Sequence, residues 1–183
     1  PGPLARNVSM ALVIGLLVVL AVQTWGMARR PEGYDFSGYL AASRALLDGG
    51  NPYHAPSPFQ YVYPLFFATA LLPLALIPAP LADLIWLALG VGSLAWLTRA
   101  LTSHGRAPDG APTGARAWPL IAILALASVD LLQHNLRNGQ VNLLVIAVSA
   151  ASWWAMTARK PVRSTVGLAV ATAIKIMPGV LLL

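Results

Sequence analysis

Five stretches of this chain run close to a bilayer's thickness with very few charges: Val8–Ala28, Leu81–Leu101, Trp118–His134, Val141–Thr157 and Thr165–Leu183. A helix needs about 20 apolar residues to cross the hydrocarbon core, because that core is ~30 Å thick and a helix rises ~1.5 Å per residue. Only helices and closed barrels satisfy every backbone polar group in lipid, so runs of this length predict helices. Composition agrees: 57% of the residues are hydrophobic and 10% are charged, against about a quarter charged in soluble domains. The expected fold is an all-α polytopic membrane protein, residues 1–183 forming a single transmembrane domain.

The net charge of +6 does not point to nucleic acid. The cations are scattered at the ends of apolar runs, where they set orientation. The chain has no cysteine, so disulfide and thiolate chemistry are excluded. No metal-ligand spacing, P-loop or dinucleotide glycine pattern occurs, so neither a metal nor a cofactor is called for. The first run, 8–28, is too long for a signal-peptide core and is followed by Arg29, Arg30 and Pro31. It is expected to be a retained anchor.

The segment 61–79 is apolar but carries Pro64, Pro73 and Pro78. Each proline removes a backbone donor and disfavours helix before it. A re-entrant, interfacial or kinked segment is expected there, giving about five or six spans in all. The positive-inside rule opposes an arrangement in which 61–79 crosses and the N-terminus is cytoplasmic. It leaves two others. In one, 61–79 does not cross, the N-terminus is inside, and Arg6, Arg99, Arg106, Arg116, Arg159, Lys160 and Arg163 face the cytoplasm. In the other, 61–79 crosses and the N-terminus is outside.

Several polar residues then need a reason. Asp35 opens an amphipathic stretch, 36–48, within the loop 29–60. It reads as an N-cap for a helix lying in the interface, with Phe36, Tyr39, Leu40, Ser43, Leu46 and Leu47 on one face and Gly49-Gly50 as its stop. A carboxylate so placed is equally suited to chemistry, and the two roles are compatible. Lys175 lies in an apolar run, ten residues after Thr165, near mid-depth. An ammonium there costs roughly 2.5–3.5 kcal/mol on insertion scales, which makes it a functional candidate beside the alternative of snorkelling. The segment His134–Asn142 contains a strong Asn-Gly turn signal, yet Asn138, Gln140 and Asn142 are many amides for a simple hairpin. Asp130 is a possible structural partner of Arg137. His54 and His104 read as loop histidines. The six tryptophans lie mainly near run ends, the pattern of interfacial belts.

Taken together, Asp35-Phe36, "ALLDGGNPY", "YVYPLFFATALLPLALIP", "NGQVNLLV" and "VGLAVATAIKIMPGVLL" resemble glycosyltransferase family 87 in order and spacing. These are polytopic enzymes of the GT-C class, which include polyprenyl-phosphate-mannose-dependent mannosyltransferases. The resemblance runs from about Tyr34 to the end of the chain. Members are usually about twice as long, so the chain is expected to correspond to the N-terminal part. The resemblance implies the arrangement with 29–60 outside and a catalytic Asp near the start of that loop. It implies transfer of a mannose-like sugar from a polyprenyl-phosphate donor to a lipid or glycan acceptor. It implies that transfer takes place on the non-cytoplasmic face of a bacterial inner membrane, with inversion.

Asp35 is then the base. Lys175, with Arg137 and Arg44, binds the donor phosphate, and Tyr63, Asn138, Gln140 and Asn142 contact substrate. Expected partners are membrane lipids, the donor, the acceptor, and a C-terminal half or other membrane subunits, with no nucleic acid. Two other readings stay open: a non-catalytic or truncated relative in a larger membrane complex, and a small transporter using Lys175 and Asp130.

Overall fold

The computed structural model describes residues 3–29, 34–104 and 114–175. All the regular structure among them is helical, with no strand among the described residues. The order is α1 (Pro3–Ala28), α2 (Asp35–Leu47), a 3-10 turn (Pro52–His54), α3 (Leu65–Ala70), α4 (Leu72–Ala75), α5 (Ala79–His104), α6 (Gly114–Ala127), α7 (Val129–Arg137), α8 (Asn142–Thr157) and α9 (Pro161–Ile174).

Two helices, α1 and α5, are long and apolar enough to cross a membrane, and a third span is reached if α7 and α8 count as one broken helix bent by 114°. Five or six spans follow from the apolar runs, and the difference has local causes. The run 118–134 is interrupted at Ser128, between α6 and α7, and α6 carries Pro119 inside it. The last run starts earlier than expected, at Pro161, and its helix stops at Ile174. Its 14 residues rise only ~21 Å. The remainder of that run, Pro178 included, lies outside the described residues, as does most of the 105–116 loop.

The segment 61–79 forms α3 and α4, of six and four residues, each far too short to cross. Pro64 takes the N-cap of α3. Tyr61 supplies what the broken backbone needs: its hydroxyl donates to the Pro64 carbonyl at 2.7 Å and accepts from the Ala68 amide at 2.8 Å. Non-helical backbone within a membrane is tolerated only where its polar groups find protein partners or water, and one tyrosine provides two such partners.

Helix α2 does not simply rest on an interface. Phe36, Ala42 and Ser43 are completely buried, and the helix packs against α3, α4 and the 3-10 turn. Ser43 Oγ lies 2.9 Å from both the Tyr39 and Ala68 carbonyls. Gly38 faces Phe59 so closely that a Cβ there would run into its carbonyl oxygen.

Helix α1 crosses over α5, α6 and α7. Val13 packs with Ile121 and Ala122, and Leu20 with Leu136 and Leu143. Much of the remaining surface, Val18, Val19 and Val22 included, is exposed, as expected of a face solvated by lipid. The main core lies where α2, α3, α5, α8 and α9 converge, around Phe36, Tyr39, Phe67, Trp86, Val141 and Ala171. Phe36 and Trp86 stack with centroids 4.5 Å apart and planes 8° from parallel. Tyr39 meets both edge-on, at 6.5 and 6.0 Å. Aromatic pairs of this kind add about 0.5–1.5 kcal/mol beyond area burial. Trp86 is thus a core residue and not part of an interfacial belt.

Candidate functional site

The site is built on a turn. Helix α7 ends at Asn138, Gly139 follows in the left-handed region at φ 62°, and the amides of Gly139 and Gln140 bond back to Leu136 and Asn135 at 3.1 and 3.0 Å. This double closure is the usual way a helix stops at glycine. Helix α2 stops the same way, at Gly49 with φ 72°, its Gly49 and Gly50 amides bonding to Leu46 and Ala45.

Two distant residues clamp the Asn138-Gly139 turn. The Asp35 amide donates to the Asn138 carbonyl at 2.9 Å, and Trp86 Nε1 donates to the Gly139 carbonyl at 2.8 Å. Tyr34 and Phe36 press on Gly139 from the other side, and a Cβ there would strike the Tyr34 ring. Tyr34 is itself anchored, its hydroxyl donating to Asp83 Oδ1 at 2.9 Å. Burial, reinforced by the Asp83 carboxylate, holds the Tyr34 phenol far above its ordinary value, so it serves as a donor.

Asp35 is the first residue of α2 and not its N-cap. That position belongs to Tyr34, whose amide is satisfied by Ser37 Oγ at 3.2 Å. The Asp35 carboxylate is therefore not occupied in closing the helix start. Burial raises its pKa, while a hydrogen bond from the Gln140 side chain and the nearby His134 pull it down.

From Gln140 the contacts continue. Gln140 Oε1 accepts from Asn142 Nδ2 at 2.9 Å and from Asn135 Nδ2 at 3.3 Å. Asn142 Oδ1 in turn accepts from Lys175 Nζ. Gln140, Asn142 and Lys175 form one hydrogen-bonded chain across the α7–α8 turn, α8 and the end of α9, and the Asp35 carboxylate lies beside its Gln140 end.

Lys175 reaches it by a route different from the expected mid-helix one. It is the C-cap of α9, its backbone extended at φ −145° and ψ 124°, with its amide still bonded to Ala171. Leaving the helix turns the ammonium toward the start of α8.

The other expected residues lie around this chain. Tyr63 bonds to the Tyr39 hydroxyl at 3.1 Å, and Tyr39 also accepts from the Val141 backbone. Asn138 pairs its side chain with His134 at 3.0 Å. Arg137 ends α7 beside the turn, whereas Arg44 is exposed in the last turn of α2. Nine residues of helix, ~13 Å, separate Arg44 from Asp35. Asp130 is exposed in the first turn of α7, and His54 is exposed in the 3-10 turn.

The cavity behind Gln140, bordered by Trp86, Asn135 and Gly139, measures about 10 Å³, the threshold for one water. Asp35 and Lys175 are linked through the contacts of Gln140 and Asn142.

Trp86, Tyr34 and Asp83 were not singled out from the sequence. Asp83 carried a signal, being a carboxylate inside the apolar run 81–101. Trp86 carried none, since its partner lies 53 residues away.

An all-helical chain with lipid-length apolar helices and a polar cluster gathered where several of them converge is a helical membrane protein with a candidate active site. The family model for glycosyltransferase family 87 matches residues 61–183. The chain belongs to that family, one of membrane glycosyltransferases. The match takes in Gln140, Asn142 and Lys175 and begins after Asp35. No curated protein and no solved structure matches the chain.

Proposed function

We propose that this protein transfers a sugar, mannose-like, from a polyprenyl-phosphate donor to a hydroxyl of a lipid or glycan acceptor. The reaction takes place on the non-cytoplasmic face of a bacterial inner membrane and inverts the anomeric carbon. The observation that carries the reading is the chain Gln140–Asn142–Lys175 with the Asp35 carboxylate beside its Gln140 end, which links a carboxylate to an ammonium through two carboxamides within a glycosyltransferase family.

The chemistry assigns separate roles to the two ends. The acceptor oxygen attacks the anomeric carbon as its proton passes to the Asp35 carboxylate. The bond from that carbon to the phosphate oxygen breaks, and its electron pair leaves with the phosphate. A base works best when its pKa lies near the operating pH, and burial moves Asp35 in that direction. The Lys175 ammonium neutralises charge developing on the leaving phosphate, and Arg137 is a second cation for the donor. Gln140 and Asn142 hold sugar hydroxyls or donor oxygens, exchanging their present contacts for those of the substrate, while Asn138 and Tyr63 border the sugar. Arg44, further along α2, meets the donor phosphate only on its approach.

The test uses the full-length protein reconstituted in liposomes with polyprenyl-phosphate mannose and a lipid-linked acceptor. Asp35→Asn keeps shape and hydrogen bonding but removes the base, and transfer should fall about 10²–10⁴-fold while donor binding persists. Transfer at the wild-type rate by Asp35→Asn would refute the base assignment and favour a non-catalytic membrane subunit.

A further inference from the structure

Helices α8 and α9 form a hairpin. Its open end lies at the polar chain, where Lys175 meets Asn142, and its closed end is the turn Ala158–Lys160. Near the closed end the two helices close tightly at Gly167, where a Cβ would run into Ser152 Oγ.

Outside this contact is a cavity of about 390 Å³ with Lys160 and Arg163 in its lining. On the α5 side of α8 lies a second, of about 330 Å³, walled by Gly92 and Trp96. Val148 and Ala151 border both, so the two adjoin along α8 as the halves of one open trough. The α5 portion is overwhelmingly apolar.

The charges at the mouth are one-sided. Lys160 and Arg163 are exposed, Arg159 adjoins them, and no acidic residue lines either cavity. Arg159 also occupies the left-handed position that ends α8, at φ 55°, where the two comparable turns carry glycine. Length matters too. From Ala158 to Val148 the trough follows ten residues of helix, ~15 Å, half of the ~30 Å hydrocarbon core. A headgroup held at the turn would therefore have its chain end near mid-depth, as a lipid of a single leaflet does.

We propose that this trough is a binding site for an anionic diacyl phospholipid. Lys160 and Arg163 hold its phosphate, and one acyl chain lies between α5 and α8 along Val148 and Ala151. The site is at the end of the hairpin opposite Lys175, so it is separate from the donor-phosphate end of the transfer reading and does not depend on it. A polypeptide occupant fits less well, because the trough presents cations at its mouth and few polar groups along its α5 wall for a backbone to meet. Basic pockets between membrane helices recognise lipid phosphates through this combination.

The test uses native mass spectrometry of the full-length protein released from nanodiscs of phosphatidylcholine containing phosphatidylglycerol, with polyprenyl phosphate added in a separate arm. Wild type should retain phosphatidylglycerol over phosphatidylcholine. The double variant Lys160→Gln/Arg163→Gln should retain it about 30-fold less, the effect of removing two near-surface cations. Arg6→Gln/Arg29→Gln, which removes two exposed cations, one in α1 and one just past its end, should behave as wild type. Ala151→Trp, which fills the trough and leaves its charges, should also lose the lipid. Thermal melting of each variant confirms folding, and if the double variant fails to fold, Ala151→Trp decides alone. Equal retention of both phospholipids by wild type, undiminished retention by the double variant or by Ala151→Trp, or a preference for polyprenyl phosphate that needs Lys160 and Arg163 would each overturn the assignment.

Discussion

The backbone amide of Asp35 donates to the backbone carbonyl of Asn138 at 2.9 Å. It is a main-chain bond between the first residue of one helix and the C-cap of another, 103 positions apart by subtraction of their numbers. The position of the Asp35 carboxylate relative to Gln140 is thereby set by backbone, and the side chain remains available.

The clamp on that turn is the first thing to test. Gly139→Ala places a Cβ against the Tyr34 ring in a left-handed backbone. The two penalties together should destabilise the protein by about 3 kcal/mol. Trp86→Phe keeps an aromatic ring against Phe36 but loses the hydrogen bond to the Gly139 carbonyl and part of the buried ring, at about 2 kcal/mol. Thermal melting in detergent should rank them in that order. A Gly139→Ala variant as stable as wild type would mean that Tyr34 does not seal the turn.

A pH dependence follows from Asp35. Burial raises its pKa above the ordinary carboxylate range, and the Gln140 hydrogen bond and His134 counteract that in part. The folded protein therefore binds this proton more tightly than the unfolded chain. Its contribution weakens the fold as pH rises from the ordinary range through the raised value. Asp35→Asn should remove that dependence and be no less stable than wild type at neutral pH. If Asp35 is the base, the acid limb of transfer should lie above ordinary carboxylate titration. Gln140→Leu, which deletes a contact favouring the charged form, should move it higher still. Rates measured from about pH 4 to 8 would show it, and an unmoved limb in Gln140→Leu would separate Gln140 from the base.

Lys175 and Asn142 should both bear on donor binding, by different routes. Lys175→Met removes the cation and should weaken both donor binding and turnover, since an ammonium meets phosphate in the ground and transition states alike. A charge-assisted contact of about 1.5–3 kcal/mol corresponds to roughly 10–150-fold. Asn142→Asp should also weaken donor binding, by a different route: the new carboxylate competes with phosphate for the ammonium. Asn142→Ala, which leaves Lys175 unpaired, should recover more donor affinity than Asn142→Asp. Equal effects of the Ala and Asp variants would show that Asn142 acts only by packing.

The orientation of the hairpin can be read by labelling. With 29–60 outside and the α8–α9 turn in the cytoplasm, a cysteine at Ser57 should react with an impermeant maleimide added to intact cells. One at Thr157, exposed at the end of α8, should react only after lysis. The reverse pattern would place the Asp35 end in the cytoplasm and exclude transfer on the outer face.

Much of this molecule is legible in its sequence because the signals are local. Apolar length specifies lipid-length helices over Pro3–Ala28 and Ala79–His104. Gly49 and Gly139 mark helix stops because only a residue without a Cβ takes the left-handed position freely. Prolines divide 61–79 into helices too short to span, and the ordered motifs carry the family. What the sequence left undetermined is what depends on packing. Tyr34, not Asp35, caps α2, and the Asp35 amide is instead committed to the distant Asn138 carbonyl. Trp86 looks like a belt tryptophan until Phe36 and Gly139 surround it. Lys175 reads as a mid-helix ammonium until α9 ends one residue before it and turns it onto Asn142, 33 residues away. Hydropathy and turn propensity are sums over neighbours along the chain, whereas these contacts join groups far apart in sequence. Which donor meets which acceptor was decided only when five helices converged on one core.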